Sequence, residues 1–307
     1  MKPISGTFID EITCDIPSQN WGISEWKKEF DTFSASGIDT LILIRCGYRE
    51  MWAYPTEVVD TPFKGCTPDL IQLFLEESAK RNIDFYLGCY DSGLLDRTGD
   101  YKHDWEINQK VINELMNRYG SHPAFKGWYV APEGPVAAPC YVEIFKRLSD
   151  RMKELTPQKP VLISPYYPSW NYSSDTPSDR MKKFIDDWYK ILSQSPGIDI
   201  VAFQDGSCNF TQPGYPLFEL EEYIKTTHAL LKDLKRTQWN NVECFWRECH
   251  IKFPPMDWRL LKKKMEIADP YVEKQITFEF SHFMSPNSCY QAARNLYSRY
   301  MEKIFNK

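Results

Sequence analysis

The amino-acid sequence predicts a single (β/α)8 barrel of the TIM type, and three observations carry that prediction. Eight short apolar runs alternate with eight stretches of helical periodicity along 307 residues. Strict alternation requires a parallel sheet, and eight strand-then-helix units is the number that closes on itself. No linker, repeat or low-complexity segment divides residues 1–307, so one domain is expected. No Gly-rich turn follows the first strand, which removes the fingerprint of the open, doubly wound alternative.

Taken in order, Gly6-Thr7-Phe8-Ile9-Asp10 reads as the first strand, followed directly by Glu11. Trp26, Phe30 and Phe33 then recur at helical spacing, and Gly37 stops that helix. Residues 40–44 are a continuous apolar strand, as expected for burial on both faces, and end at Arg45. The connection from Cys46 to Cys66 is long and bears Tyr48, Trp52 and Tyr54, so it is expected to overhang the functional face. Thr67 and Pro68 read as the cap and first turn of the next helix.

Residues 83–88 form the third strand, and Ile107, Val111 and Leu115 mark the helix after it. The fourth strand is the run Phe125-Lys126-Gly127-Trp128-Tyr129-Val130-Ala131, closed by Pro132, Gly134 and Pro135, which prevent a helix from starting. Glu133 therefore sits at a carboxyl end. A helical stripe of Phe145, Leu148, Met152 and Leu155 precedes the fifth strand at 160–164. Met181, Phe184, Ile185, Trp188 and Leu192 precede the sixth at 198–203. Leu220, Ile224, Leu231 and Leu234 lead to the seventh, Trp239-Asn240-Asn241-Val242-Glu243-Cys244-Phe245-Trp246. Trp258, Leu261 and Met265 mark a helix, residues 275–280 the eighth strand, and Ala292, Leu296, Tyr300 and Ile304 the closing helix.

In such a barrel the loops after the strands build the site. The strand ends offer Asp10, Glu11, Arg45, Tyr90, Asp91, Glu133, Tyr166, Tyr167, Gln204, Asp205, Glu243, Trp246 and His282 to one pocket, acidic and aromatic with a single guanidinium. Two carboxylates flanking a substrate are what glycoside hydrolysis requires, one to protonate the leaving oxygen and one to attack or to activate water. Aromatic faces bind the apolar side of a sugar ring, and an aromatic content of 15% with ten tryptophans supplies them. The substrate class that follows is carbohydrate.

Each side chain also has a structural reading. Glu133 can cap or pair, and Asp10 and Glu11 can simply neutralise Arg45. Glu279, between Phe278 and Phe280, can line the barrel interior. His122, before the fourth strand, falls on the stability face, and Cys244 reads as packing because no histidine is placed to activate it. Tyr48, Trp52, Trp170 and Trp246 are each a sugar platform or a packing residue.

The net charge of -5 argues against nucleic acid, and no apolar run approaches a membrane span. The densest basic run, Lys262-Lys263-Lys264, reads as a solvated helix face. Nine cysteines without paired spacing read as reduced thiols, and with no signal peptide the sequence reads as cytoplasmic. A trimmed leader would look the same. No cofactor is implied, and the sequence does not specify an oligomeric state.

On Gly6-Thr7-Phe8-Ile9-Asp10, Gly127-Trp128-Tyr129-Val130-Ala131-Pro132-Glu133, Asn241-Val242-Glu243-Cys244-Phe245 and Thr277-Phe278-Glu279-Phe280-Ser281-His282, the chain resembles a bacterial barrel family of unassigned function. That family is itself similar to the clan of retaining (β/α)8 glycoside hydrolases with catalytic glutamates on strands four and seven. The resemblance covers nearly the whole chain. It implies Glu133 as acid/base, Glu243 as nucleophile and Arg45 as the clan's arginine that keeps the nucleophile ionised. Pro132 departs from the clan's usual Asn before the acid/base, and Phe203-Gln204 from its Tyr or His late on strand six. Two other classes use the same residues. One is a metal-dependent sugar isomerase or epimerase with Asp10, Glu133, Glu243 and His282 as ligands; the other is a carbohydrate-binding barrel without turnover.

Overall fold

Eight strands close into a barrel in which every pairing is parallel: Ile4–Ile9, Thr40–Leu43, Asp84–Gly88, Phe125–Tyr129, Val161–Ile163, Ile200–Gln204, Thr237–Asn241 and Lys274–Thr277. Each pairs with its neighbours in sequence, and the eighth returns to the first, with Thr7 opposite Thr277. This computed structural model describes residues 1–306 except 14–15, 17, 61–62, 65–68, 134–137, 168–175, 207–216 and 247–253, with the backbone alone at 63, 64, 96, 177 and 218.

Strands two and five are buried along their whole length because both faces are covered. All four residues of Thr40–Leu43 and all three of Val161–Ile163 are buried. Outside them, the helical stripes meet the barrel as their spacing predicts. Trp26, Phe30 and Phe33 of the helix Ile23–Ala35 are fully buried, as are Trp188 and Ile191 of Pro177–Gln194. Gly37 follows its helix at a φ of 76°, a conformation glycine adopts without strain. The last helix, Gln291–Phe305, closes the ring by presenting the Tyr300 hydroxyl to the Ile4 amide, which donates to it at 2.8 Å. At Gly88 the second and third strands approach so closely that a Cβ would lie 2.1 Å from the Leu43 carbonyl oxygen.

Two local expectations need correction. The cap of the helix Leu70–Arg81 is Asp69, which accepts from the Gln72 amide at 2.8 Å; Thr67 and Pro68 lie outside the described residues. The eighth strand stops at Thr277 rather than continuing to Phe280. Its Phe-Glu-Phe alternation resembles a strand, but the Glu279 carboxylate takes the amides of Ser281 and His282 and starts the short helix Phe280–Phe283.

The long connection after the second strand carries structure of its own. Its segments Gly47–Tyr48, Met51–Trp52 and Phe63–Lys64 form a small sheet with Tyr90–Asp91, which follows the third strand. Trp52 stacks on Tyr90 with ring centroids 5.1 Å apart, and the Tyr54 hydroxyl donates to Glu114 at 2.7 Å on the helix Tyr101–Tyr119. Both aromatics are buried against these neighbours outside the loop, while Tyr48 stays partly exposed. Cys66 lies outside the described residues.

Candidate active site

The carboxyl ends of the fourth and seventh strands are held by neighbours on either side, and this sets where Glu133 and Glu243 leave the barrel. Past Tyr129, the Val130 amide donates to Leu162 O at 3.0 Å and the Ala131 amide to Cys89 Sγ at 3.2 Å. Two residues later comes Glu133, half-buried; Gly134 and Pro135 lie outside the described residues. Past Asn241, the amides of Val242 and Cys244 donate to Ile276 O and Phe278 O at 2.9 and 3.3 Å, and Glu243 between them is buried. Both glutamates therefore stand at the same end of one closed barrel. The floor between the strands is aromatic: Phe8 meets Tyr129 edge-on at 5.1 Å and tilts against Phe278 at 5.9 Å.

Arg45 is buried in an ion pair at the end of strand two. Its Nε donates to Asp91 Oδ2 at 3.0 Å and its guanidinium to Thr13 Oγ1 at 2.9 Å, with the Tyr48 ring 4.7 Å beneath it. After burial, the largest influences on it are Asp91, Glu133 and Asp10, all of which favour the charge. The arginine is thus paired with Asp91 on the small sheet, and Glu133 and Asp10 add to the negative field around it. Burial also raises the Tyr129 phenol well above its ordinary range, with Glu133 adding to the shift; its hydroxyl has no hydrogen-bond partner among the described residues.

A second group lies where the first and eighth strands meet. Asp10 Oδ1 accepts from the amides of Ile12 and Thr13 at 3.0 and 3.1 Å, leaving Oδ2 buried and without a partner among the described residues. Glu11 accepts from Ser18 Oγ at 2.9 Å, and its other oxygen likewise has no partner among the described residues. Burial pushes its carboxyl up to about 6, against the lowering effects of Ser18 and His282. His282 is fully buried, its Nδ1 bonded to Glu279 and its Nε2 without a partner among the described residues. Burial pulls the imidazole down, but Glu279, Asp10 and Glu11 outweigh it and the net shift is upward.

The other predicted contacts are spread around the rim. Tyr90 is buried against Trp52, its amide donating to Asn108 Oδ1 at 2.9 Å and its hydroxyl to Arg49 O at 3.3 Å. Tyr166 and Gln204 are half-buried and bridge to each other at the ends of strands five and six, with Gln204 Nε2 donating to Ser164 O at 2.7 Å. Trp246 is half-buried beyond strand seven, and Trp170 lies outside the described residues. Among the described residues no three His, Cys, Asp or Glu side chains are placed to hold a metal ion, so the isomerase alternative lacks its ligand set there. No helix among them is long and apolar enough to cross a membrane.

Two charged residues escaped the sequence reading. Lys264 is not on a solvated face: its side chain is 0% exposed, pairs with Asp205 at 2.7 Å and donates to the Glu243 carbonyl at 2.7 Å. Glu29 is buried on the inner face of the first helix, accepting from Ser285 Oγ at 2.7 Å and Asn287 Nδ2 at 2.8 Å. A signal existed for both. Lys264 falls on the stripe of Leu261, Met265 and Ala268, and Glu29 on that of Trp26, Phe30 and Phe33.

Residues 4–290 match the family described as "Domain of unknown function (DUF4434)". No curated protein matches the chain. Among solved structures, a protein of Bacteroides thetaiotaomicron VPI-5482 named as a candidate alpha-L-fucosidase is 34% identical, with a TM-score of 0.88 over 98% of this chain and 95% of that one. A β-galactosidase from the psychrophilic Marinomonas ef1 is 11% identical with a TM-score of 0.60, over 97% of this chain but 59% of its own. A psychrophilic family 10 endo-β-1,4-xylanase is 14% identical with a TM-score of 0.55, covering 95% of this chain and 90% of that one. The last two likenesses show the fold alone. The structural neighbours are glycoside hydrolases, and the barrel is glycoside-hydrolase-like.

Proposed function

The chain belongs to the DUF4434 family, and from that premise we propose that it is a retaining glycoside hydrolase, with Glu133 as acid/base and Glu243 as nucleophile. The observation that supports this reading is the position of both glutamates just past the carboxyl ends of strands four and seven of one closed barrel. In the first step Glu133 protonates the leaving oxygen while Glu243 attacks the anomeric carbon. In the second Glu133 takes a proton from water, which displaces Glu243 from the sugar.

The remaining rim groups fit substrate binding. The unpartnered oxygens of Asp10 and Glu11 can accept from sugar hydroxyls, and His282 Nε2, beside them, can donate when the ring is protonated. Arg45, largely neutralised by Asp91, contributes a fixed guanidinium near Glu133. Tyr90 supports that corner through Trp52, while Tyr166, Gln204 and Trp246 line the opposite rim.

The test is a panel of aryl glycosides, beginning with an α-L-fucoside because of the name carried by the Bacteroides relative. On the best substrate, Glu243→Gly should lose turnover. Glu133→Ala should keep it only for activated leaving groups and, given azide, should form a glycosyl azide of retained configuration. Wild-type activity in both variants would overturn the assignment. A carboxylate separation of roughly 6.5 to 9.5 Å in a complex, instead of about 5 to 5.5 Å, would change it to inverting.

A further inference from the structure

We propose that Lys264 is a positioning residue for Glu243, setting the direction of its carboxylate through the main chain; the inference rests on the reading of Glu243 as nucleophile. Strand eight grips the amides of Val242 and Cys244, so the Glu243 carbonyl between them turns away from that strand. Lys264 supplies its donor, reaching in from the helix Trp258–Ala268 at 2.7 Å.

The same ammonium is fixed in turn. Asp205 lies 2.7 Å away at the end of strand six, and its own amide donates to Asn241 O at 3.2 Å. Both side chains are at most 1% exposed, so the pair cannot exchange its partners for water. The lysine's helix is tied to the same segment, because the Met256 amide just before it donates to Cys244 O at 2.8 Å. Glu243 is thereby gripped from strand eight, from strand six through Asp205, and from the helix. An ion pair so enclosed is weak evidence for stability and better evidence for fixing one geometry, which a nucleophile needs: a displacement of about 1 Å can cost about 10²-fold in rate.

Removing Lys264 alone would leave Asp205 charged, buried and without this counter-ion, so the test uses neutral pairs. Lys264→Met/Asp205→Asn deletes the donor to the Glu243 carbonyl, and Lys264→Gln/Asp205→Asn replaces it with an amide. On the best aryl glycoside, the methionine pair should lose about 10²-fold in kcat with KM unchanged, and the glutamine pair should recover much of that loss. A folded methionine pair with wild-type kcat overturns the inference.

Glu243→Gln, run alongside, separates the two claims. If it stays active the nucleophile assignment fails; if it is dead while the methionine pair is fully active, only the role of Lys264 fails. A crystal structure of the methionine pair is decisive without any substrate: a Glu243 carboxylate displaced by about 1 Å or more supports the proposal, and an unmoved one overturns it. Should that pair fail to fold, Lys264→Arg keeps both charges and moves only the donor. The same displacement and a lowered kcat are then expected, and the absence of both overturns the assignment.

Discussion

Replacing Glu29 by glutamine should make the protein more stable than the wild type above pH 7, by a margin that shrinks as the pH is lowered toward 4.5. Glu29 is fully buried between the first helix and the segment after the eighth strand. Burial raises its carboxyl from 4.5 to about 7, Asn287, Ser285 and Ser281 oppose that shift, and Glu279 adds to it. An acid whose pKa is raised on folding holds its proton more tightly in the native state. The stability it contributes is therefore complete below about 4.5 and is lost as the pH rises through about 7.

At about 1.4 kcal/mol per pKa unit, the loss amounts to about 3 kcal/mol. For a chain of this length that corresponds to roughly 5 °C in melting temperature. Glutamine is neutral throughout, can accept from Ser285 and Asn287 as Glu29 does, and places its amide where Oε1 has no partner. Other groups titrate in the same range, so the measurement is the difference between the two proteins in denaturant melts from pH 5 to 8. A difference that stays constant over that range would show that Glu29 ionises at its ordinary pKa, and the reasoning from burial would be wrong.

Gly88→Ala should prevent folding or destabilise it severely, because the new Cβ would meet backbone oxygen at 2.1 Å, and soluble expression with a melting curve measures it. Arg45→Met should cost about 3 to 5 kcal/mol by leaving Asp91 buried without its cation, and Arg45→Met/Asp91→Leu should regain much of that in urea melts. With Glu11 raised to about 6 and needed ionised to accept a hydroxyl, kcat/KM should rise with pH through about 6, and Glu11→Gln should abolish that limb while lowering the plateau. An unchanged limb in the variant would assign the titration to another group.

How much of this was legible in the sequence depends on how local each signal is. The strands were readable because double burial demands apolar residues over four or five consecutive positions, and the helices because one face must be apolar at regular spacing. The strand-end positions of Glu133 and Glu243 were readable for the same reason, as carboxylates that interrupt apolar runs. The partner of Arg45 was not, since Asp91 reaches it only after a small sheet has formed from segments flanking two different strands. Strand eight was overextended because alternation around Glu279 is compatible with a strand, and only the amides it accepts reveal a cap. Lys264 and Glu29 were missed because residue type was allowed to outweigh position. A charge on an apolar stripe has to find its partners inside the fold, so the stripe predicts that Lys264 is buried, while its partners Asp205 and the Glu243 carbonyl come from two other strand ends and have no local signature.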